Sequence, residues 1–218
     1  RYGDINERRH QLHEVIRLSG MNLVINDIDM PLIVKVASIQ KERMQVYFID
    51  NDEYFKLEES FDKDGELYAD NDERCIFFAK GIVETVKKLN WSPDLIHIQG
   101  WLGALLPLYL QTYCKEEPIF QHTKVITCFL REPFIGSLDE GILEKIAFDE
   151  ITPDQAPELK EPNSMNLIKL ASRYSDGVTT LRGTLPDEAI SYITSLGKPF
   201  LCEENIETTC KSYPQFYK

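Results

Sequence analysis

Between Asp70 and Leu201 short apolar runs alternate with segments whose apolar residues recur every three or four positions. The runs are Leu95-Ile96-His97-Ile98, Lys124-Val125-Ile126-Thr127-Cys128-Phe129 and Val178-Thr179-Thr180-Leu181. They are brief, rich in β-branched residues and bounded by turn formers, which predicts strands. Before the first run, Cys75, Phe78, Ile82, Val86 and Leu89 form one helical stripe, and Lys87 and Lys88 suit the negative end of its dipole. A second helix is expected over roughly residues 101–113. Asn163 caps another over residues 164–173, with Leu167, Leu170 and Ala171 inward, and Thr184 opens one to about Ser195. The order is helix, strand, helix, strand, helix, helix, strand, helix. It predicts an α/β fold of three layers, Rossmann-like, with a mostly parallel sheet and helices on both faces. With 218 residues, 43% of them hydrophobic, the chain fits one domain over 1–218.

Local signals refine this frame. Asp70 with Glu73, and Ser137 with Glu140, have capping-box spacing. Upstream, Leu23-Val24-Ile25, Leu32 to Ile39 and Gln45 to Asp50 read as strands, the last two as a hairpin. Glu7 to Leu18 reads as a short helix or an irregular arm. Residues 50–71 and 149–162 read as acidic loops, and a short edge segment follows Pro199. The aromatics of Tyr213-Pro214-Gln215-Phe216-Tyr217 are expected to anchor the tail to the body.

Charge and cysteine content narrow the function. The net charge of -12 repels nucleic-acid phosphates and anionic lipid heads, so neither a nucleic acid nor a membrane is an expected partner. Five widely spaced cysteines indicate neither a disulfide scaffold nor a zinc site. With no membrane span or signal peptide evident, they read as reduced thiols in a cytoplasmic protein. The chain opens on Arg1 rather than Met, so its first residues are expected to be missing.

In parallel sheets ligands bind beyond the carboxyl ends of strands. Three ends therefore matter: Gln99–Trp101, Phe129–Glu132 and Leu181–Thr184. Gly100 lets a ligand approach the backbone beside Trp101, or merely permits a tight turn while Trp101 packs on the sheet. His97 is a base by residue type, or a satisfied, partly buried histidine by position. Arg131 and Arg182 follow adjacent strands, and their planar forks suit phosphate or sugar hydroxyls; Arg131 alternatively pairs with Glu132 or another acid. His10 and His13 lack a third ligand at metal spacing, and His122 reads as surface. No Gly-rich phosphate loop, G-x-S-x-G or C-x-x-C is present. No metal and no cofactor are expected.

An ordered series of blocks resembles the N-terminal domain of the glycogen and starch synthases. Val46-Tyr-Phe-Ile-Asp-Asn-Asp-Glu-Tyr54 is similar to the family's strand and "pEyF" turn, and Asp70-Asn-Asp-Glu-Arg-Cys-Ile-Phe-Phe78 to its "DNaeRFiFF". Trp91-Ser-Pro-Asp-Leu-Ile-His97 is similar to "W-x-P-D-v-i-H", Leu105-Leu-Pro-Leu-Tyr-Leu110 to "alvPvYL", and Tyr174-Ser-Asp-Gly-Val-Thr-Thr180 to "yADkvtT". The resemblance implies the N-terminal domain of a GT-B-type glycosyltransferase. Such enzymes move glucose from ADP- or UDP-glucose to an α-1,4-glucan, in a cleft between two Rossmann-like domains. The implied partners are an α-glucan, a nucleotide sugar, and a second copy or another protein. Three of the family's site blocks are altered. Its "H-x-H-D-W-H" is His97-Ile-Gln-Gly-Trp-Leu102, its "T-i-H-N" is Thr127-Cys-Phe-Leu130, and its "T-V-S-P-T-Y" is Thr180-Leu-Arg-Gly-Thr-Leu185. No catalytic residue is therefore assigned. His97, Gly100, Trp101, Arg131, Glu132 and Arg182 remain as substrate-binding candidates. The alternative implied is a non-catalytic α-glucan-binding or regulatory module without the donor-binding domain.

Overall fold

The structure, a computed structural model, describes residues 5–56, 67–129 and 134–218. Four antiparallel strands come first: β1 (His13–Glu14), β2 (Met21–Ile25), β3 (Ile28–Ile39) and β4 (Met44–Asp50). Helix α1 (Asn71–Leu89) leads to β5 (Leu95–Gln99), α2 (Leu106–Gln111), β6 (Lys124–Phe129), α3 (Ile142–Ala147) and α4 (Ser164–Tyr174). The chain continues through β7 (Gly177–Leu181), α5 (Asp187–Ser195), β8 (Phe200–Glu203) and α6 (Ile206–Phe216).

The expectation of a mostly parallel sheet needs correction. Strands β5-β6-β7-β8 do form a parallel sheet in chain order, with Gln99 beside Cys128 and Cys128 beside Thr179. The first four strands form a separate antiparallel sheet of the same size, with β3 at its centre. Its topology follows from two tight reversals. Asn26 and Asp27 both have positive φ, +47° and +62°, as a two-residue hairpin turn with right-handed strand twist requires. Arg43, at φ +51°, closes the turn between β3 and β4 and confirms that hairpin. Strand β3 also starts before Leu32, at Ile28, and carries Pro31 within it. The proline stands opposite Asn22, and its carbonyl accepts a hydrogen bond from Asn51 Nδ2 at 3.0 Å.

Helix α1 joins the two sheets. Cys75, Ile76, Phe77, Ala79 and Val83 are fully buried. A Cβ on Gly81 would stand 2.7 Å from Ile49 Cγ2 of β4 and 3.3 Å from Leu32 Cδ1 of β3, so the glycine sets how closely helix and antiparallel sheet approach. On the parallel sheet, alternation divides the faces. Ile98, Val125, Phe129 and Val178 join the main core with α1, α2 and α4. On the opposite face lie His97, Cys128 and Thr179, and Tyr213 of α6 reaches the last two. Helices thus cover both faces of the parallel sheet, as the alternation predicted. The tail aromatics do anchor, through a helix that the sequence reading did not anticipate.

Neither capping box forms, because other partners, some local and some distant, take the groups. The Asp70 carboxylate takes Arg74 at 2.7 Å instead of a helix amide, while Glu73 accepts Tyr54 Oη at 2.8 Å and Lys145 Nζ at 3.0 Å. Ser137 pairs with Asn163 in a short bridge, and Asp139 accepts from Gly141 N ahead of α3. Asn163 does cap α4, accepting from Asn166 N at 2.9 Å. Residues 7–11 form turns, and β1 occupies His13–Glu14 in place of a helix.

Within the core one ion pair is almost wholly enclosed. Lys80 of α1 bonds the Asp149 carboxylate and the Val24 carbonyl, and Tyr109 Oη donates to Asp149 Oδ2 at 2.7 Å. Three elements and the loop after α3 therefore meet at one charge pair. Lys80→Ala leaves Asp149 buried without its cation and should cost about 3–5 kcal/mol. The double variant Lys80→Met, Asp149→Leu should cost clearly less, as judged by urea unfolding.

Candidate functional site

The site is built outward from the end of β5. Gly100 N donates to Cys128 O at 3.1 Å, extending the β5–β6 ladder one residue past Gln99. The backbone of Gly100 then swings to φ +84°, a torsion natural to glycine. Among the described residues, its two chain neighbours apart, no atom lies within 4 Å of where its Cβ would stand, so torsion rather than crowding demands the residue. A single 3-10 turn, Trp101–Gly103, follows. A Cβ on Gly103 would meet Ile98 Cγ2 at 2.7 Å, so this turn sits hard against its own strand. The half-buried indole of Trp101 packs edge-to-face on Phe134, with centroids 5.1 Å apart. Phe134 is buried, and nothing in the local sequence marked it as the support of Trp101.

Across the sheet the neighbouring strand ends are tied up internally. Phe129 is buried at the end of β6, and its carbonyl accepts Thr180 Oγ1 at 2.7 Å. Thr184 Oγ1 lies 2.6 Å from Leu181 O and 2.8 Å from Thr180 Oγ1, which stitches the β7 turn to its strand. Arg182 N donates to Glu203 O at 2.7 Å, and its exposed guanidinium bonds Glu204 at 3.1 Å. Arg131 and Glu132 lie outside the described residues. Gly100 and Trp101 are therefore together at one strand end, while Arg182 stands two strands away, roughly 10 Å by strand spacing.

His97 points to the face covered by α6. Tyr217 Oη lies 2.6 Å from its Nδ1, and Nε2 is buried with no hydrogen-bond partner among the described residues. The rings of Tyr213 and Tyr217 stack on each other at 5.2 Å, and both meet the imidazole edge-to-face. Burial pushes the imidazole pKa below its ordinary value. The same burial raises the phenols of Tyr213 and Tyr217. His97 is thus a clasp for the last helix. Its hydrogen-bond partner Tyr217 lies 120 residues away and could be found only by seeing the tail as a helix.

A family model described as "Starch synthase catalytic domain" matches residues 1–196. The chain belongs to the starch synthase catalytic domain family. Among its relatives is the glycogen synthase of Chlorobium limicola, 31% identical over 195 residues, covering 87% of this chain and 39% of that protein. The glycogen synthase of Chlorobaculum tepidum is 31% identical over 202 residues, covering 88% and 40%. A shorter match, to the glycogen synthase of Chlorobium chlorochromatii, reaches 38% over 132 residues, covering 58% and 26%. The catalytic domain of starch synthase IV from Arabidopsis thaliana, solved bound to ADP and acarbose, has the same fold, with TM-score 0.67 and 17% identity. That match covers 90% of this chain and 41% of the other. The chain spans about two fifths of the length of these first relatives.

The geometry of His97 gives its pH response a sign. The unfolded chain takes up a proton near the usual value of about 6.5, while the folded imidazole resists until a lower pH. In that window the unfolded state binds more protons, so stability falls as pH drops below about 6.5. Thermal unfolding between pH 8 and pH 5 should show this decline, and His97→Phe should flatten it.

Proposed function

We propose that this chain is the acceptor-facing part of a glycosyltransferase of the glycogen or starch synthase type. The protein carrying it moves glucose from ADP- or UDP-glucose to an α-1,4-glucan. The observation that carries this reading is the Gly100–Trp101 turn, set in a chain of the starch synthase catalytic domain family. Backbone that a ligand can approach closely lies beside a braced indole at a parallel strand end. Aromatic faces pack against the C–H faces of sugars, and a fixed ring keeps the ordering cost of binding low. The acarbose carried by the Arabidopsis relative supports a glucan-like ligand for this fold. Gln99, exposed next to Gly100, supplies a carboxamide that both donates to and accepts from hydroxyls. Arg182 is the anion-binding candidate; an exposed pair with Glu204 holds it only weakly. Arg131 and Glu132 are proposed as its neighbours. His97 acts from beneath, by fixing β5. The setting we propose is the cytoplasm, supported by five free thiols and by the absence, among the described residues, of any helix long and apolar enough to cross a membrane.

A second reading is a non-catalytic α-glucan-binding or regulatory module. It is favoured by the residues at the strand ends. Gln99, Gly100, Leu102 and Phe129 carry neither an acid nor an imidazole, and a phenyl ring neither donates nor accepts a hydrogen bond. Loss of one well-placed transition-state donor typically costs about 3–4 kcal/mol, so several such losses leave little catalysis.

Two measurements separate the readings. The protein carrying this chain is assayed for glucose transfer from ADP- and UDP-glucose to glycogen, and titrated with maltoheptaose by calorimetry. Turnover with binding establishes the transferase. Binding at millimolar sugar without turnover selects the module, and absence of binding removes both. Gly100→Val should weaken maltoheptaose binding at least tenfold by filling the space above the turn and straining its positive φ.

A further inference from the structure

The loop after α3 is pinned at one residue and open on both sides of it. Asp149 is buried against Lys80 and Tyr109, while its neighbours Phe148 and Glu150 face outward. The Phe148 ring is 54% exposed, and Tyr113, just beyond α2, is 43% exposed. Two cavities, of about 430 and 420 Å³, both have Tyr113, Phe148 and Asp149 in their walls, so they are the halves of one cleft. Each half is within the range of small-molecule sites, roughly 300–1,000 Å³. One half is completed by Glu116 and Glu150, the other by Glu84 of α1 and by β2, where Val24 is 43% exposed. Neither half includes His97, Gly100, Trp101 or Arg182.

The charge of the lining has one sign. Four carboxylates stand in it, those of Glu84, Glu116, Asp149 and Glu150, against one ammonium, Lys80. Asp149 neutralises Lys80. Glu84 shares Lys87 with Glu117, at 3.3 Å and 2.6 Å, so one cation serves two acids there. Glu116 and Glu150 form no ion pair among the described residues. An anion is repelled by such a lining, and a purely apolar segment leaves its carboxylates unanswered. A cation meets both the carboxylates and the aromatic faces, which attract positive charge. Lys80 Nζ already lies 5.9 Å from the centre of the Tyr113 ring, whereas Phe148 has no ring or cation partner among the described residues. The acids do not converge: among the described residues no group of three could hold a metal ion. The cation that fits is therefore organic, and the exposed Val24, Tyr113 and Phe148 call for an apolar group beside it.

We propose that this cleft docks a basic segment of a partner protein. An apolar side chain of the segment rests among Val24, Tyr113 and Phe148, and a flanking arginine or lysine answers Glu116 and Glu150. The anchoring of Asp149 holds Phe148 and Glu150 in place before the segment arrives, which lowers the ordering cost of binding. The cleft is independent of the function proposed above, because it shares no residue with the Gly100–Trp101 turn.

The test titrates the full chain, by calorimetry at low salt, with a blocked hexapeptide of alternating leucine and arginine. Its control has citrulline in place of arginine, which keeps the shape and removes the charge. Saturable binding of the arginine peptide is expected. The double variant Glu116→Gln, Glu150→Gln should weaken it about fivefold, as the loss of two exposed pairs implies. Phe148→Ser, also a surface change, should weaken it about threefold. Thermal unfolding checks that both variants keep the fold. No saturation by about 1 mM peptide, or equal binding of the citrulline peptide, overturns the proposal. An equal loss in Asp187→Asn, Glu207→Gln, exposed acids outside the cleft, assigns the binding to net charge and also overturns it. Spermidine binding as tightly as the peptide identifies a small amine as the occupant and overturns the protein partner.

Discussion

The closeness of α1 to the antiparallel sheet governs the rest of the molecule. At Gly81 the helix backbone comes so near Ile49 and Leu32 that a single methyl group has no room. That contact lets twelve residues of α1 be buried, among them Lys80, whose amine would otherwise be intolerable in the interior. Lys80 in turn fixes Asp149, and Asp149 fixes Tyr109 of α2. A helix held this tightly delivers β5 to a fixed position. The turn at Gly100 and the strand ends beside it inherit their geometry from a contact on the far side of the helix.

The two ends of β5 therefore differ in kind. At the carboxyl end the chain leaves the strand through a torsion natural to glycine and braces an indole on Phe134. At the amino end a helix cap places the other indole against a hairpin. Neither end carries a concentrated set of ionisable groups among the described residues. The chain's membership of the starch synthase catalytic domain family thus goes with strand ends that present aromatic faces, amides and backbone.

Local signals in the sequence were reliable where a local interaction decided the outcome. The strand–turn–helix at Asp94 to Leu110, the stripe of α1 and the Asn163 cap were all legible, because periodicity and a short-range hydrogen bond settle them. They failed where a distant partner competed. Glu73 has capping spacing to Asp70, but the distant Tyr54 and Lys145 take its carboxylate, while Asp70 pairs one helical turn along with Arg74. The Asn26-Asp27 reversal has no glycine to mark it; its two positive φ angles are set by the pairing of β2 with β3. Helix α6 was hidden by Pro214 and by a polar sequence; its stability comes from two tyrosines meeting a histidine that no local pattern connects to them. Among the site candidates, Gly100 and Trp101 were readable as neighbours, whereas the fate of His97 depended on that helix.

The clasp between α6 and His97 also orders events in time. The parallel sheet runs from β5 to β8 in chain order, and the helix after β8 returns to β5 and β6, where Lys124 of β6 donates to the Tyr217 carbonyl at 3.3 Å. The last helix thus straps the last strand to the first. Contacts spanning so much of the chain form late, since loop closure must precede any reward. During synthesis one face of β5 and β6 stays uncovered until residue 217 has left the ribosome. For that interval His97 and Cys128 are on the surface of a half-made sheet, open to pairing with whatever strand or aromatic segment arrives first.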